Sequence, residues 1–242
     1  MIDKTERHLR LLRDPENRIN LGYFQEALQR NLSPPNDSYS PQENLVQVAF
    51  QGTEGGGTAL LLNAEGFVLT CYHLVRHLRT EEGMLERSCI RIDGQEAAID
   101  PKFLVWDEDY DLALLRALGC YTKPTIALAE QQVCWAENLC YFPFVQGEVQ
   151  ELEGRVALAS YDVVMDRPPT IVVRSDAFVV DGEGKMGYSG SPFFRGKELV
   201  GILFGGTDPG ENASIYGTKS RYVRNLVQDA IDHIGNLQNT NL

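Results

Sequence analysis

Polar and apolar positions near the start of the chain alternate at helical spacing. Residues 3 to 13 set Leu9, Leu11 and Leu12 among charges just after Ile2, and residues 20 to 31 space Leu21, Tyr23, Phe24, Ala27 and Leu28 along one face. Two short helices are predicted, with Pro15 between them. SPPNDSYSP (33 to 41) is too rich in Pro, Ser and Asn to continue a helix and reads as a linker. From Leu45 the texture changes to short apolar runs divided by turns. They are LVQVAF (45 to 50), TALLLN (58 to 63), GFVLTC (66 to 71), CIRID (89 to 93), KFLVW (102 to 106), DLALLRA (111 to 117), LCYFPFV (139 to 145), GRVALASYDVV (154 to 164), TIVVRSDAFVV (170 to 180) and ELVGILFGG (198 to 206). So many short strands without helices between them predict an all-β sandwich or barrels. Val223, Leu226, Val227, Ala230, Ile231 and Ile234 return to helical spacing and predict a closing amphipathic helix over 221 to 234.

Composition narrows the class. At about 150 residues per domain, 242 residues make one large domain or two small lobes. With 43% hydrophobic and 23% charged residues the chain is globular rather than disordered. The net charge of −12 repels a phosphate backbone, so no nucleic acid partner is expected. Residues 1 to 32 carry six basic and five acidic side chains, leaving −13 on the remainder, so this arm could dock on the body or on a partner. The N-terminus is charged and has no apolar signal core, and no run reaches the ~18 apolar residues of a membrane span. No membrane association is expected, and the cytoplasm is the expected compartment. Cys71, Cys89, Cys120, Cys134 and Cys140 form no CxxC pair and read as reduced thiols rather than disulfides or a zinc site. No metal or cofactor is expected.

Three segments carry candidate chemistry. Of four histidines, His8 and His233 lie on terminal helices, whereas His73 follows the strand GFVLTC where an imidazole would face a cleft, with His77 one turn on. In MGYSGSPFF (186 to 194), glycines flank Ser189 and let successive N–H groups converge on a bound oxyanion. In DEDYDLALLRA, Asp111 abuts the apolar run LALL, so its carboxylate is drawn inward and needs a donor such as a histidine N–H; Asp107 and Asp109 compete for this role.

TCYHLV, then DLALL, then GYSGSP, in that order, resembles the trypsin-like (chymotrypsin-fold) serine peptidases, closest to the HtrA-like and cytoplasmic branch without a PDZ domain. The resemblance spans about residues 45 to 236 and implies two six-stranded antiparallel β-barrels, about 42 to 130 and 131 to 220, after an N-terminal helical extension and linker (1 to 41) and before a C-terminal helix. It implies that Ser189 is the nucleophile, His73 the general base and Asp111 its orienting partner, with oxyanion N–H groups from Gly187 and Ser189. Phe204, Gly205 and Gly206 would flank the substrate, on a strand within GKELVGILFGG (196 to 206), and SIYGTKSRYV (214 to 223) would be the last strand. Glu183, six residues before the serine, stands where trypsin has the acid that selects Arg or Lys, with Asp181 and Lys185 as competitors.

Two departures matter. Tyr188 replaces the Asp that pairs with a freshly cut N-terminus in secreted trypsins, so activation of that type is not expected. The loop DGEGKMG (181 to 187) is glycine-rich and could need a ligand or partner to hold the oxyanion geometry. The acidic strings DEDYD and DGEG are weak calcium candidates that read more simply as solvated loops. The expected activity is serine endopeptidase action on a protein or peptide substrate, regulated by a partner protein or by the arm. The alternative is a catalytically silent fold of the same type serving as a binding module or scaffold. The arm itself could be an adaptor contact, an inhibitory strap or simple packing.

Overall fold

A computed structural model of the protein describes residues 18–33, 39–49, 56–78, 90–119, 121–145, 147–167, 170–207 and 213–239. The helix expected over 3 to 13, His8, residues 34 to 38 of the linker, Cys89 and Cys120 lie outside them.

Helix α1 (Arg18–Asn31) buries Phe24, Ala27 and Leu28 of the set its periodicity marks, whereas Tyr23 is exposed. Phe24 meets the ring of Phe67 edge-on at 5.9 Å, and the Arg116 guanidinium lies over its other side. The C-terminal end of α1 is fixed by polar contacts that helical periodicity does not encode. Asn31 is fully buried, donates to the carbonyls of Leu62 and Ile126 at 2.7 Å each, and accepts from Asn63. The second half of the arm is therefore built into the core. Truncation of residues 1 to 41 would expose the surfaces covered by Phe24, Leu28 and Tyr39, each worth about 1.5–3 kcal/mol. We expect the melting temperature to fall by about 10–20 °C in calorimetry. Unchanged melting with raised turnover would instead identify an inhibitory strap.

The strands are β1 (Leu45–Ala49), β2 (Gly56–Leu61), β3 (Phe67–Cys71), β4 (Ile90–Ile92), β5 (Gln95–Glu96), β6 (Ile99–Asp107), β7 (Leu112–Ala117), β8 (Ala127–Leu128), β9 (Asn138–Tyr141), β10 (Phe144–Val145), β11 (Glu148–Val149), β12 (Leu152–Arg167), β13 (Thr170–Asp181), β14 (Pro192–Arg195), β15 (Glu198–Gly206) and β16 (Ser214–Lys219). Pro143 divides the run expected as one strand over 139 to 145 into β9 and β10. The strand expected over 214 to 223 ends at Lys219, and helix α3 (Ser220–Asn239) begins there. All six apolar residues that marked the closing helix are buried.

The two sheets differ in closure. The N-terminal sheet is a row of seven strands, β5-β4-β1-β2-β3-β7-β6. In the C-terminal sheet, β14 pairs with both β9 and β15, so β14-β9-β12-β13-β16-β15 form a closed cycle of pairings, with β8 added parallel to β15. Two closed six-stranded barrels are thus met only in part. Pro101 lacks an N–H within β6, and the β6–β7 register slips between Ile99 and Leu104, leaving β6 as an edge. Among the described residues no helix is long and apolar enough to cross a membrane.

Candidate active site

The register of β3 against β7 sets the first part of the site. Cys71 pairs with Leu112, so the chain leaving β3 runs beside the chain entering β7. The Tyr72 N–H donates to the Asp111 carbonyl at 3.0 Å, and the chain then turns into the short helix α2 (Tyr72–Val75) that carries His73. Asp111 ends the turn before β7 with φ 54°, a left-handed conformation that Asp tolerates better than most residues. Its side chain is fully buried. Oδ1 accepts the His73 backbone N–H at 2.9 Å, and Oδ2 lies 2.6 Å from His73 Nδ1. A carboxylate accepts only, so Nδ1 carries the proton and Nε2 is left with a free lone pair.

The competing acids do other work. Asp107 Oδ1 accepts the N–H groups of Asp109 (3.0 Å) and Tyr110 (3.4 Å) and so shapes the turn, while Asp109 is exposed. His77 lies exposed on the turn after α2, and burial together with the neighbouring Arg76 lowers its pKa from the ordinary value.

Ser189 sits in a turn hydrogen-bonded to strands of both sheets. The Thr58 N–H of β2 donates to its carbonyl at 2.8 Å, and the Gly190 N–H donates to Leu203 O of β15 at 2.7 Å. Cys71 Sγ donates to the same Leu203 carbonyl at 3.1 Å. One carbonyl thus joins the strand that leads to His73 and the turn that holds Ser189. Gly190 has φ 87°, and a Cβ there would stand 1.8 Å from Thr58 O, so only glycine fits between the sheets. Ser191 is buried, and its hydroxyl donates to Tyr188 O.

Gly187, at φ 93°, lies two residues before the serine. Among the described residues neither its N–H nor that of Ser189 is spent on another backbone group. Side-chain contacts within the protein hold the loop before them. Tyr188 is buried, with its hydroxyl against Gln150 Oε1 and Glu183 Oε1, and the Tyr141 hydroxyl donates to Glu183 O at 2.8 Å. Lys185 pairs with the Glu183 carboxylate and, with the Tyr188 hydroxyl, holds that carboxyl below its usual range.

A cavity of about 220 Å³ opens beside Ser189. Its walls are Gly184, Lys185, Met186 and Tyr188 of the loop, Leu203, Gly205, Gly206 and Thr207 of β15 and its end, and Ile215 of β16. Gly205 and Gly206 are thus among its lining residues. Phe204 does not line the cavity; its side chain is buried against Tyr216. Glu183 does not line it either, being engaged by Lys185 and Tyr188. Cys71 Sγ, the His73 ring and the Asp111 carboxylate place donor atoms within 4.8 Å of one another, a spacing a metal ion could use. The fit is poor, because His73 Nδ1 and Cys71 Sγ already make the hydrogen bonds given above.

Cys71, Thr58 and Arg174, whose guanidinium approaches Asp111, were not foreseen from sequence. Only Cys71 had a usable signal, since it lies two residues before His73.

Residues 57–202 match the family described as the trypsin-like peptidase domain. No curated protein sequence matches the chain. Solved structures with a similar fold include the active form of the Rv3671c protease from M. tuberculosis (TM-score 0.61, 14% identity, covering 81% of this chain and 87% of that one). The MamO protease domain from Magnetospirillum magneticum is similar at TM-score 0.55 and 19% identity, over 76% of this chain and 96% of that one. The HtrA-type protease AlgW with a decapeptide is similar at TM-score 0.57 and 16% identity, over 78% and 64% of the two chains.

Proposed function

The chain belongs to the trypsin-like peptidase domain family, and we propose from that premise that it is a serine endopeptidase acting through Ser189, His73 and Asp111. The observation that carries this reading is the buried Asp111 carboxylate on His73 Nδ1, with Ser189 at the mouth of a cavity anchored to the same elements. His73 Nε2 takes the Ser189 proton as Oγ attacks the scissile carbonyl carbon. Negative charge then moves to the carbonyl oxygen, where the N–H groups of Gly187 and Ser189 would receive it. Asp111 stabilises the imidazolium, which gives its proton to the leaving amine. Water repeats the sequence to release the acyl group.

Fluorophosphonate labelling followed by peptide mapping tests this reading. One adduct on Ser189 is expected; a chain that is folded and unlabelled would be a binding module instead.

The cavity also bears on specificity. Among the described residues no carboxylate lines it, whereas Leu203 and Ile215 contribute apolar walls. Trypsin-like selection of Arg or Lys is therefore not our reading. We expect an uncharged aliphatic residue before the scissile bond to exceed Arg or Lys in kcat/KM by at least about tenfold, because a cation there would be desolvated without a partner. A positional peptide library read by mass spectrometry checks the order, and preference for Arg or Lys would reverse it.

A further inference from the structure

We propose that Arg174 is a positioning residue for the reaction, holding the turn that carries Asp111 and, through that carboxylate, the His73 ring. This rests on the peptidase reading above. Arg174 belongs to the other sheet. Among the described residues, the strand pairings of β12 beyond Arg155 are with β13 alone, and β13 meets β16 only from Phe178 onward. The stretch between is a two-stranded ribbon that leaves the closed cycle, with Arg174 opposite Val163. Its guanidinium crosses to the N-terminal sheet, where Nη1 donates to the Glu108 carbonyl and Nη2 stands 3.9 Å from Asp111 Oδ1.

Both side chains are shielded from water, the arginine at 13% exposure and the aspartate at 0%. Asp111 receives its two short hydrogen bonds from a single residue, His73. A buried carboxylate satisfied from one side still needs compensating charge, and Arg174 supplies it. Arg174 Nε is buried and, among the described residues, has no acceptor. Hydrogen bonding within the ribbon therefore does not explain where the guanidinium lies, whereas the Glu108 carbonyl and attraction to Asp111 together do.

Other described ionisable groups beside the pair make contacts of their own. Cys71 of β3 donates to Leu203 O, Asp107 accepts N–H groups of its own turn, and Tyr110 is stacked on Tyr222 of α3. Arg76 and His77 follow α2 and are exposed.

The test compares Arg174→Gln, Arg174→Met and Arg174→Lys with wild type in the rate of fluorophosphonate labelling. Loss of the guanidinium should slow labelling about tenfold, because the Asp111 turn and the His73 ring are no longer held in place. The KM for peptide should be little changed, because Arg174 does not line the cavity. Arg174→Lys keeps the charge and loses the planar fork, so it should recover part of the lost rate. In a Ser189→Ala background, the NMR resonance of the His73 Nδ1 proton on Asp111 should move or broaden in Arg174→Gln without any turnover. A folded uncharged variant with wild-type labelling and an unmoved resonance would overturn the proposal, as would Arg174→Lys falling as far as Arg174→Gln. If wild type does not label, the peptidase reading fails on its own, and the resonance still decides whether Arg174 positions the Asp111–His73 pair.

Discussion

Replacement of Ser189 by alanine is expected to lower peptide hydrolysis by about 10⁵–10⁶-fold while leaving the protein folded. The magnitude follows from what is lost. Without Oγ there is no nucleophile, and what survives is whatever acceleration the N–H groups and the bound geometry lend to direct attack by water. Stability should hardly change, because the turn is fixed by backbone hydrogen bonds from Thr58 to Ser189 O and from Gly190 to Leu203 O. The measurement is single-turnover hydrolysis of an optimised peptide alongside a thermal melt. A loss of only tenfold would remove Ser189 from the mechanism.

Asp111→Asn is expected to cost about 10⁴-fold in kcat. The reason is one of hydrogen-bond direction. In the native site both carboxylate oxygens accept, one from the His73 backbone N–H and one from the ring. An amide must place its NH₂ at one of these positions. The backbone N–H cannot become an acceptor, and the nearby Arg174 also favours oxygen on that side. The NH₂ therefore faces the ring and donates to Nδ1, which moves the imidazole proton to Nε2. The base then has no lone pair to offer Ser189. Fluorophosphonate labelling should fall in step with turnover while the melting temperature changes far less. An Asn variant that retains more than about a tenth of wild-type kcat would show that another group orients His73.

Much of the architecture was legible because local patterns and tertiary needs agree. The apolar stripe of 221 to 234 faces the core, and Gly190 beside Ser189 sits where the sheets come too close for a side chain. Asp111 was distinguishable from Asp107 and Asp109 because it alone abuts the run LALL, which is buried throughout. Closure of a sheet was not legible, since it depends on whether β14 finds β9 as well as β15. The surroundings of Glu183 were also hidden. Its spacing from the serine suggested a cavity floor, but Lys185 and Tyr188 are near enough in sequence to capture the carboxylate. Arg174 lay furthest from view. Nothing in TIVVRSDAFVV separates it from a solvated strand arginine until the ribbon is seen to cross to the other sheet.

The turn carrying Asp111 is held from elements that come late in the chain. Thr218 Oγ1 donates to Tyr110 O at 2.8 Å, the Tyr222 ring stacks on Tyr110, and Arg174 donates to Glu108 O. A chain emerging from the ribosome at about 5–20 residues per second makes His73, Asp111 and Ser189 before Thr218 and Tyr222. Under the proposed mechanism a nascent chain therefore lacks two of the three clamps on the Asp111 turn, and cutting power would arrive only when the last helix has been delivered.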